Sequence, residues 1–319
     1  MATIVNRGGA ARRGRRRKVA TGVGKHRIDV DELAMAGPDE LMAKLKATFA
    51  SPDYRPPVLP AIAFELTELS RRPDVGCDDA TALLERDPML ASEVLRTAQS
   101  PMYAARIPVQ SVGEAVRRLG LRTLRDIVWQ VVVNMRIFRT QGYEAPMRDL
   151  QRHATAIAHF AKLVCQRTTM GAEYAFLCGL LHDVGISGTL ITIAEGRRNP
   201  PDISILWPTI DQMHAYASGQ MTRLWGLDEE IQNICRSHHN FDSRKLPHPI
   251  VAAISVAEEI AHDLGLGPAP DRAAGSLHVS QVDMNTARQQ EDARTMLDID
   301  DSAFLLLVDE AEKIAASLP

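Results

Sequence analysis

Seven side chains with metal-ligating chemistry lie in the second half of the chain, on or at the ends of segments with helical patterns. They are His153, His182, Asp183, His214, His238, His239 and Glu258. Neutral imidazoles and carboxylates brought inward on separate helices are what a divalent transition metal requires in a helical bundle. Each histidine alone is more often a hydrogen-bonded core or surface residue. The set therefore predicts either a metal site or a polar network that fixes how helices pack.

The adjacent pair His182-Asp183 follows the apolar run Phe176–Leu181. Leucines in this run recur at i, i+3 and i+4 spacing, which predicts a helix with a buried face. The small side chains around Gly179 would let a neighbouring helix approach closely. Gly185 suits the left-handed position that ends a helix. An imidazole and a carboxylate at such a helix end can act as two metal ligands or as a polar lock between helices.

Two further histidines lie on apolar helical faces. His153 opens the predicted helix Arg152–Arg167, on a face that is otherwise largely apolar. His214 shares a stripe with apolar residues in a helix that we expect to start after Pro208. Both side chains are therefore expected to point inward.

The last three candidate ligands lie on two later segments. His238 and His239 close the predicted helix Asp228–His239, and Glu258 lies in the apolar predicted helix Ile250–Leu264. The remaining histidines are expected to be surface or loop residues: His159, His248, His262 and His278.

Elements that position these residues should be helical throughout. Hydrophobic residues make up 45% of the 319 residues but aromatic ones only 5%, which favours helices packed through Leu, Ile, Val and Ala. Helical periodicity recurs without strand alternation, so the fold class is predicted to be all-α. We expect helices Val109–Leu119 and Thr123–Phe138 on either side of Gly120. A linker, Gln141–Pro146, should precede a second helical block that begins near Leu150.

The charge of the chain is unevenly distributed. Residues 1–27 carry nine basic residues and no acidic one, which leaves 28 basic against 40 acidic residues in the remainder. Only the tail is therefore suited to phosphate, whether in nucleic acid or anionic lipid. The alternative is a tail that only aids solubility. The candidate nucleic-acid contacts are Arg12, Arg13, Arg15, Arg16, Arg17 and Lys18.

The compartment is predicted to be the cytoplasm. The cysteines Cys77, Cys165, Cys178 and Cys235 form no CxxC pair, and most lie in apolar helical contexts, which indicates free buried thiols. We expect no apolar run to approach the ~20 residues needed to span a bilayer, and no apolar signal segment follows the basic N-terminus.

The order of the candidate ligands resembles the HD superfamily of metal-dependent phosphohydrolases. There the first His, the His-Asp pair and a final Asp bind one metal, and additional histidines can support a second. The resemblance thus implies a first site made by His153, His182, Asp183 and Glu258. It assigns His214, His238 and His239 to a second metal or to phosphate contacts. A divalent Fe, Mn, Ni or Zn ion would be the cofactor, and we assign no further catalytic residue.

Motifs before this set resemble the HDOD family, an HD-related output domain of bacterial signalling proteins. They are Leu59-Pro60, Glu85–Leu90, Gln99–Tyr103 and Ala115–Leu124, with Trp225 and His238-His239 downstream. The resemblance covers residues 55–262 and implies an N-terminal helical lobe packed on a degenerate HD-like lobe. It also implies signal transduction, usually without demonstrated hydrolysis.

Several positions depart from the patterns of these families. The closing acid is Glu258 rather than Asp, and Ile186 stands where an HDxGK motif carries Lys. Gln99 replaces an Asn usual in the HDOD family. No GYP-like motif is present, so a cyclic di-GMP phosphodiesterase of the HD-GYP type is not indicated.

The expected organisation has four parts. Residues 1–30 form a disordered basic tail, 31–145 an N-terminal helical lobe, 146–266 an HD-like lobe, and 267–319 a spacer with C-terminal helices. In the last of these, the clearest helix runs from Ser302. Its inward residues are predicted to be Phe304, Leu305, Val308, Ala311, Ile314 and Ala315.

Three functions follow from these observations. The first is a regulatory module that acts on signalling proteins or binds a nucleotide second messenger. A homodimer is an alternative use for an exposed apolar face near Leu305–Leu307. The second is a metal-dependent phosphohydrolase or phosphodiesterase. The third is association with nucleic acid through the tail.

Overall fold

The structure is a computed structural model that describes residues 37–318, apart from 73, 75, 104–108, 169–172, 240–247 and 268–283. In this part of the chain every regular element is a helix, which confirms the all-α prediction. The helices are α1 (Pro38–Ala50), α2 (Ala61–Arg71), α3 (Cys77–Leu84), α4 (Pro88–Ala98), α5 (Val112–Arg136), α6 (Glu144–Arg167), α7 (Ala175–Leu181), α8 (Val184–Ala194), α9 (Ile203–Leu224), α10 (Glu229–Ser237), α11 (Pro249–Asp263), α12 (Met284–Met296) and α13 (Asp301–Ser317). The basic tail and His278 lie outside the described residues.

Local sequence signals explain several helix boundaries. The Asp87 side chain accepts hydrogen bonds from the backbone N–H groups of Met89 and Leu90 and so caps α4. Gly120 interrupts α5 with φ 75° and ψ 162°, a conformation that few other residues adopt. The predicted break at this glycine is confirmed.

The helices form two packed groups. In the first helical group, α2, α3 and α4 pack around α5; the second helical group contains α6 to α11. The first helix, α1, packs along α9, and the C-terminal α12 and α13 pack on α11 and α6 respectively. The predicted limits of the lobes stay a prediction.

Two predicted helix starts are wrong for reasons that involve proline. α6 begins at Glu144 rather than near Leu150 or Arg152, because Pro146 lies in its first turn, where a missing N–H leaves no helical bond unmade. α9 begins at Ile203 and carries Pro208 inside it. Both helices therefore begin before their prolines, Pro146 and Pro208, whereas the sequence had suggested a start after them.

The inward position predicted for Leu305 is also wrong. Leu305 and Leu306 are each 67% exposed, whereas Phe304 and Leu307 are buried. The rest of the predicted stripe is confirmed, because Phe304 and Ala311 are buried and Val308, Ile314 and Ala315 pack against the core.

The stretch Ala175–Ala194 is long and apolar enough to cross a membrane by length and composition, contrary to our expectation. However, 89% of its apolar window is buried inside the fold. The core helix of a water-soluble protein satisfies the same criteria, so the observation is weak support for a membrane span.

Candidate metal centre

Asp183 lies at the point where five parts of the second helical group meet. It follows α7 directly, in the turn that leads to α8, and His182 precedes it. His153 comes from α6, His214 from α9 and Glu258 from α11, while His238-His239 follow the end of α10. The predicted candidate ligands are therefore brought together at one place.

One carboxylate oxygen of Asp183 faces the first group of candidate ligands. Oδ2 lies 3.3 Å from His182 Nε2 and 3.5 Å from His153 Nε2. The two imidazole nitrogens are 3.3 Å apart, and His182 Nε2 is 3.6 Å from Glu258 Oε1. These four residues are the set implied for a first metal.

The other oxygen faces the remaining histidines. Asp183 Oδ1 lies 3.2 Å from the Nε2 atoms of both His214 and His238. His214 Nε2 is in turn 3.3 Å from His238 Nε2 and 2.8 Å from His239 Nε2. Asp183 therefore stands between two groups of nitrogen atoms, one on each of its oxygens.

Backbone carbonyls orient four of the imidazole rings. The Nδ1 atoms of the four rings are 2.6–2.9 Å from a carbonyl oxygen, to which only an N–H can donate. In the neutral form, each ring then directs the lone pair of its Nε2 towards Asp183, the arrangement typical of metal-ligating histidines. The pairs are His153 with Leu266, His182 with Gly179, His214 with Asp211 and His238 with Cys235.

The ligand atoms fit a divalent cation better than they fit one another. Asp183 Oδ1 is buried without a hydrogen-bond partner, although two Nε2 atoms lie 3.2 Å away. Acceptors that face each other at this range repel unless a proton or a cation lies between them. Bonds of about 2.1 Å to a metal place neighbouring ligand atoms about 3.0–3.4 Å apart. The centre is thus suited to hold a metal.

Comparison with known proteins decides the family. The sequence profile of the HDOD domain matches residues 57–241, more than half of the chain. The chain belongs to the HDOD family. An uncharacterised protein of Treponema pallidum (strain Nichols) is 27% identical over 231 residues, which cover 67% of this chain and 44% of the relative. The chain therefore spans less than half of that relative's length.

Two solved structures share the fold of this HDOD protein. An HDOD domain protein of unknown function from Geobacter sulfurreducens is 23% identical, with a TM-score of 0.63 over 88% of this chain and 97% of its own. A Shewanella amazonensis protein, whose name suggests a metal-dependent phosphohydrolase, is 19% identical, with a TM-score of 0.60 over 88% and 98%. At these identities the likeness establishes the fold alone.

The residues of the HDOD centre differ in how their surroundings shift their pKa values. Burial disfavours a charged His182, but the Asp183 carboxylate outweighs this and raises the His182 pKa to about 9. Burial would raise the Asp183 pKa, yet His182 and His214 hold it well below its usual value. Burial lowers the pKa of His238 to about 4 and raises that of Glu258 to about 8. Without metal at neutral pH, Asp183 is therefore ionised and Glu258 holds its proton.

Two of the candidate ligands are not fully buried. His153, His182, Asp183, His214 and His238 are buried. His239 is exposed, and the Glu258 side chain keeps 21% of its surface accessible. A small molecule could therefore approach near these two residues.

Two glycines let the helices carrying the candidate ligands pack closely. A Cβ at Gly179 would lie 2.8 Å from the Ile157 carbonyl oxygen, which confirms the predicted close approach of a neighbouring helix and identifies it as α6. Gly185 lies within the first turn of α8 and has no positive φ, so its predicted role as a helix stop is wrong. A Cβ there would lie 2.2 Å from the His214 carbonyl oxygen. Close packing is therefore the reason for glycine at both positions.

One histidine was wrongly expected at the surface. His159 is only 9% exposed, and its ring packs edge-on against Phe176 at 5.0 Å between centroids. His248 accepts a hydrogen bond from the Ile250 N–H at the start of α11 and lies near the surface, as expected. The sequence did not predict that the Leu266 carbonyl would contact His153. The nearest signal is Gly265, which has the positive φ common at helix ends.

Proposed function

We propose that this HDOD protein is a signal-transduction module whose buried centre binds one or two divalent transition-metal ions. The observation that supports it is the placement of Asp183 between two groups of inward-facing imidazole Nε2 atoms. A carboxylate in this position can share its oxygens between two metals. Its regulatory action on signalling proteins, or on a nucleotide second messenger, rests on the family.

The chain's own residues would divide between two sites. His153, His182, Asp183 and Glu258 would hold the first metal, and His214, His238 and His239 would join Asp183 at the second or contact phosphate. An imidazole and carboxylate set suits Fe, Mn, Ni or Zn. His182 and Glu258 must each release a proton for the first set to act as ligands.

A second candidate function is phosphohydrolase or phosphodiesterase chemistry. It is favoured by the full set of seven polar residues and by the accessibility of the His239 and Glu258 side chains. A bound metal would polarise a phosphoryl oxygen and lower the pKa of a bound water. The carbonyl-bound rings would keep their orientation, and Glu258 can hold a proton beside His182. We expect any such turnover to disappear in Asp183→Asn.

A metal screen by thermal unfolding tests the proposal. After chelation and dialysis, Mn²⁺, Fe²⁺, Ni²⁺ or Zn²⁺ should raise the Tm of the wild type but not that of Asp183→Asn. Binding at 100 times Kd stabilises by about 2.7 kcal/mol. Asp87→Asn is the matched control, because the Asp87 carboxylate caps the start of α4 in the first helical group instead. Equal metal shifts in Asp183→Asn and the wild type would contradict the proposal.

Association with nucleic acid remains a separate prediction, because its candidate residues lie outside the described part of the chain. Deleting residues 1–27 should abolish binding, and binding by the full chain should weaken steeply with salt. A flat salt response would remove this function.

A further inference from the structure

An arginine of the first helical group contacts the second group at two places. Arg71, the last residue of α2, donates hydrogen bonds to the Tyr174 hydroxyl and to the Asp228 carboxylate. Its guanidinium also lies over the Tyr174 ring, 5.3 Å from the centroid. One side chain thus links three segments that are distant in sequence.

Both contacts of Arg71 are at the beginnings of helices that end in candidate ligands. Tyr174 immediately precedes α7, and α7 is followed by His182-Asp183. Asp228 immediately precedes α10, which is followed by His238-His239. The arginine therefore holds the starts of the two short helices whose ends supply four of the seven candidate ligands.

A second arginine of the first group holds the same end of α7. Arg125, on α5, is only 5% exposed and donates to the Glu173 carbonyl oxygen at 2.9 Å. Its guanidinium is fixed by the Asp126 carboxylate at 3.1 Å. Glu173 and Tyr174 are thus each held by an arginine of the first group.

Because α7 is short and tightly packed, a displacement at its start should be transmitted to its end. The helix has seven residues, a length of about 10 Å. Near its end it lies against α6 so closely that a Cβ at Gly179 would be 2.9 Å from the Ala158 Cα. A shift at the start of α7 must therefore move the helix as a body, together with His182-Asp183.

We propose that Arg71 is a positioning residue through which the first helical group sets the metal affinity of the centre, with Arg125 as its support. The inference rests on the proposed metal site. A rearrangement of the first group, for instance on contact with a signalling partner, would release the starts of α7 and α10. The ligand pairs at their ends would then move apart and bind metal more weakly.

The test compares Arg71→Ala with Arg71→Lys and Arg86→Ala in the full chain. Arg86 is the matched control, because it pairs at 2.7 Å with Glu65 within the first group and is exposed. Calorimetric titration of the chelated proteins with Mn²⁺ at a temperature far below unfolding should show roughly tenfold weaker binding for Arg71→Ala. Arg71→Lys should lose less, and Arg86→Ala should match the wild type. Unchanged affinity in Arg71→Ala, even with a lower Tm, would overturn the inference.

A metal-free measurement separates this inference from the proposed metal function. The ring ¹⁵N signals of His182 and His238 should move in Arg71→Ala and stay in place in Arg86→Ala. If the wild type binds no metal, the proposed metal function fails. The ring signals would still show whether Arg71 positions the two histidines. Ring signals in Arg71→Ala that coincide with those of the wild type would overturn it.

Discussion

Asp183 and Glu258 are the two carboxylates of the centre, and they differ in what surrounds them. Asp183 faces imidazoles on both oxygens, which keep it ionised despite burial. Glu258 has only His182 as a described ion-pair contact, and burial raises its pKa to about 8. The two acids therefore differ in how readily a metal can recruit them.

Replacing Glu258 tests whether an acid one methylene longer than Asp still serves as a ligand. Glu258→Gln should weaken metal binding at the first site by roughly tenfold or more, because an amide is a poorer ligand than a carboxylate. Glu259→Gln is the matched control, since Glu259 pairs with Arg294 rather than with the centre. Titration calorimetry would measure both variants, and equal affinities would argue against Glu258 as a ligand.

Metal binding should tighten as pH rises. His182, with its pKa raised to about 9, and Glu258, at about 8, both carry protons at neutral pH. A metal must displace these protons, so its apparent affinity should rise from pH 6 towards pH 9. Calorimetry in two buffers of different ionisation enthalpy would count the released protons. Binding without proton release would contradict these assignments.

His159 should make stability depend on pH. Burial lowers its pKa to about 3 in the folded protein, while about 6.5 is expected when unfolded. Below pH 6.5 the unfolded chain takes up a proton that the folded chain does not, so stability falls as pH drops from about 6.5 to about 3. His159→Phe should flatten this dependence in urea unfolding of the metal-free protein. An equally steep dependence in the variant would refute it.

Helix ends decide much of the centre's geometry. At the end of α11, Gly265 has φ 66° and the Leu266 N–H donates to the Ala261 carbonyl at 2.7 Å. The Leu266 carbonyl then accepts from His153. The periodicity of α11 predicted this helix well, but which carbonyl would meet His153 depends on the three-dimensional path of the chain.

Two matched glycines allow a test of this helix end. Gly265→Ala and Gly226→Ala each place a methyl at positive φ and should cost roughly 1–2 kcal/mol of stability. Gly226 ends α9 in the same way, with the Leu227 N–H bonded to the Thr222 carbonyl, and no atom lies within 4 Å of its added Cβ. Only Gly265→Ala should also weaken metal binding, as titration would show. Equal metal affinity in both variants would contradict the role of the Leu266 carbonyl.

Sequence patterns predicted the helices of the second group better than their boundaries. The apolar stripes located α6, α7 and α11, and the small side chain of Gly179 correctly indicated a close helix contact. Gly185 was misread, because a glycine after a helix can serve either as its stop or as a packing site for a neighbour. Only the approach of α9, which comes from later sequence, distinguishes these roles.

At the scale of the whole molecule, the family motifs predicted the fold and the set of polar residues that converge. His153 and Glu258 are 105 positions apart, and no local rule brings α6 and α11 together. The contacts of Arg71 lay outside the prediction for the same reason, since Tyr174 and Asp228 are reached only when the two helical groups pack. The order of motifs along the sequence could therefore identify the candidate ligands, but not the arginine contacts that position them.

The most direct test of the account is the metal content of the purified full chain, measured by elemental analysis for the wild type and for Asp183→Asn. We expect one or two Fe, Mn, Ni or Zn ions per chain in the wild type and a large loss in the variant, with helical content unchanged by circular dichroism. A folded wild type that holds no transition metal, even after incubation with each ion and desalting, would contradict it.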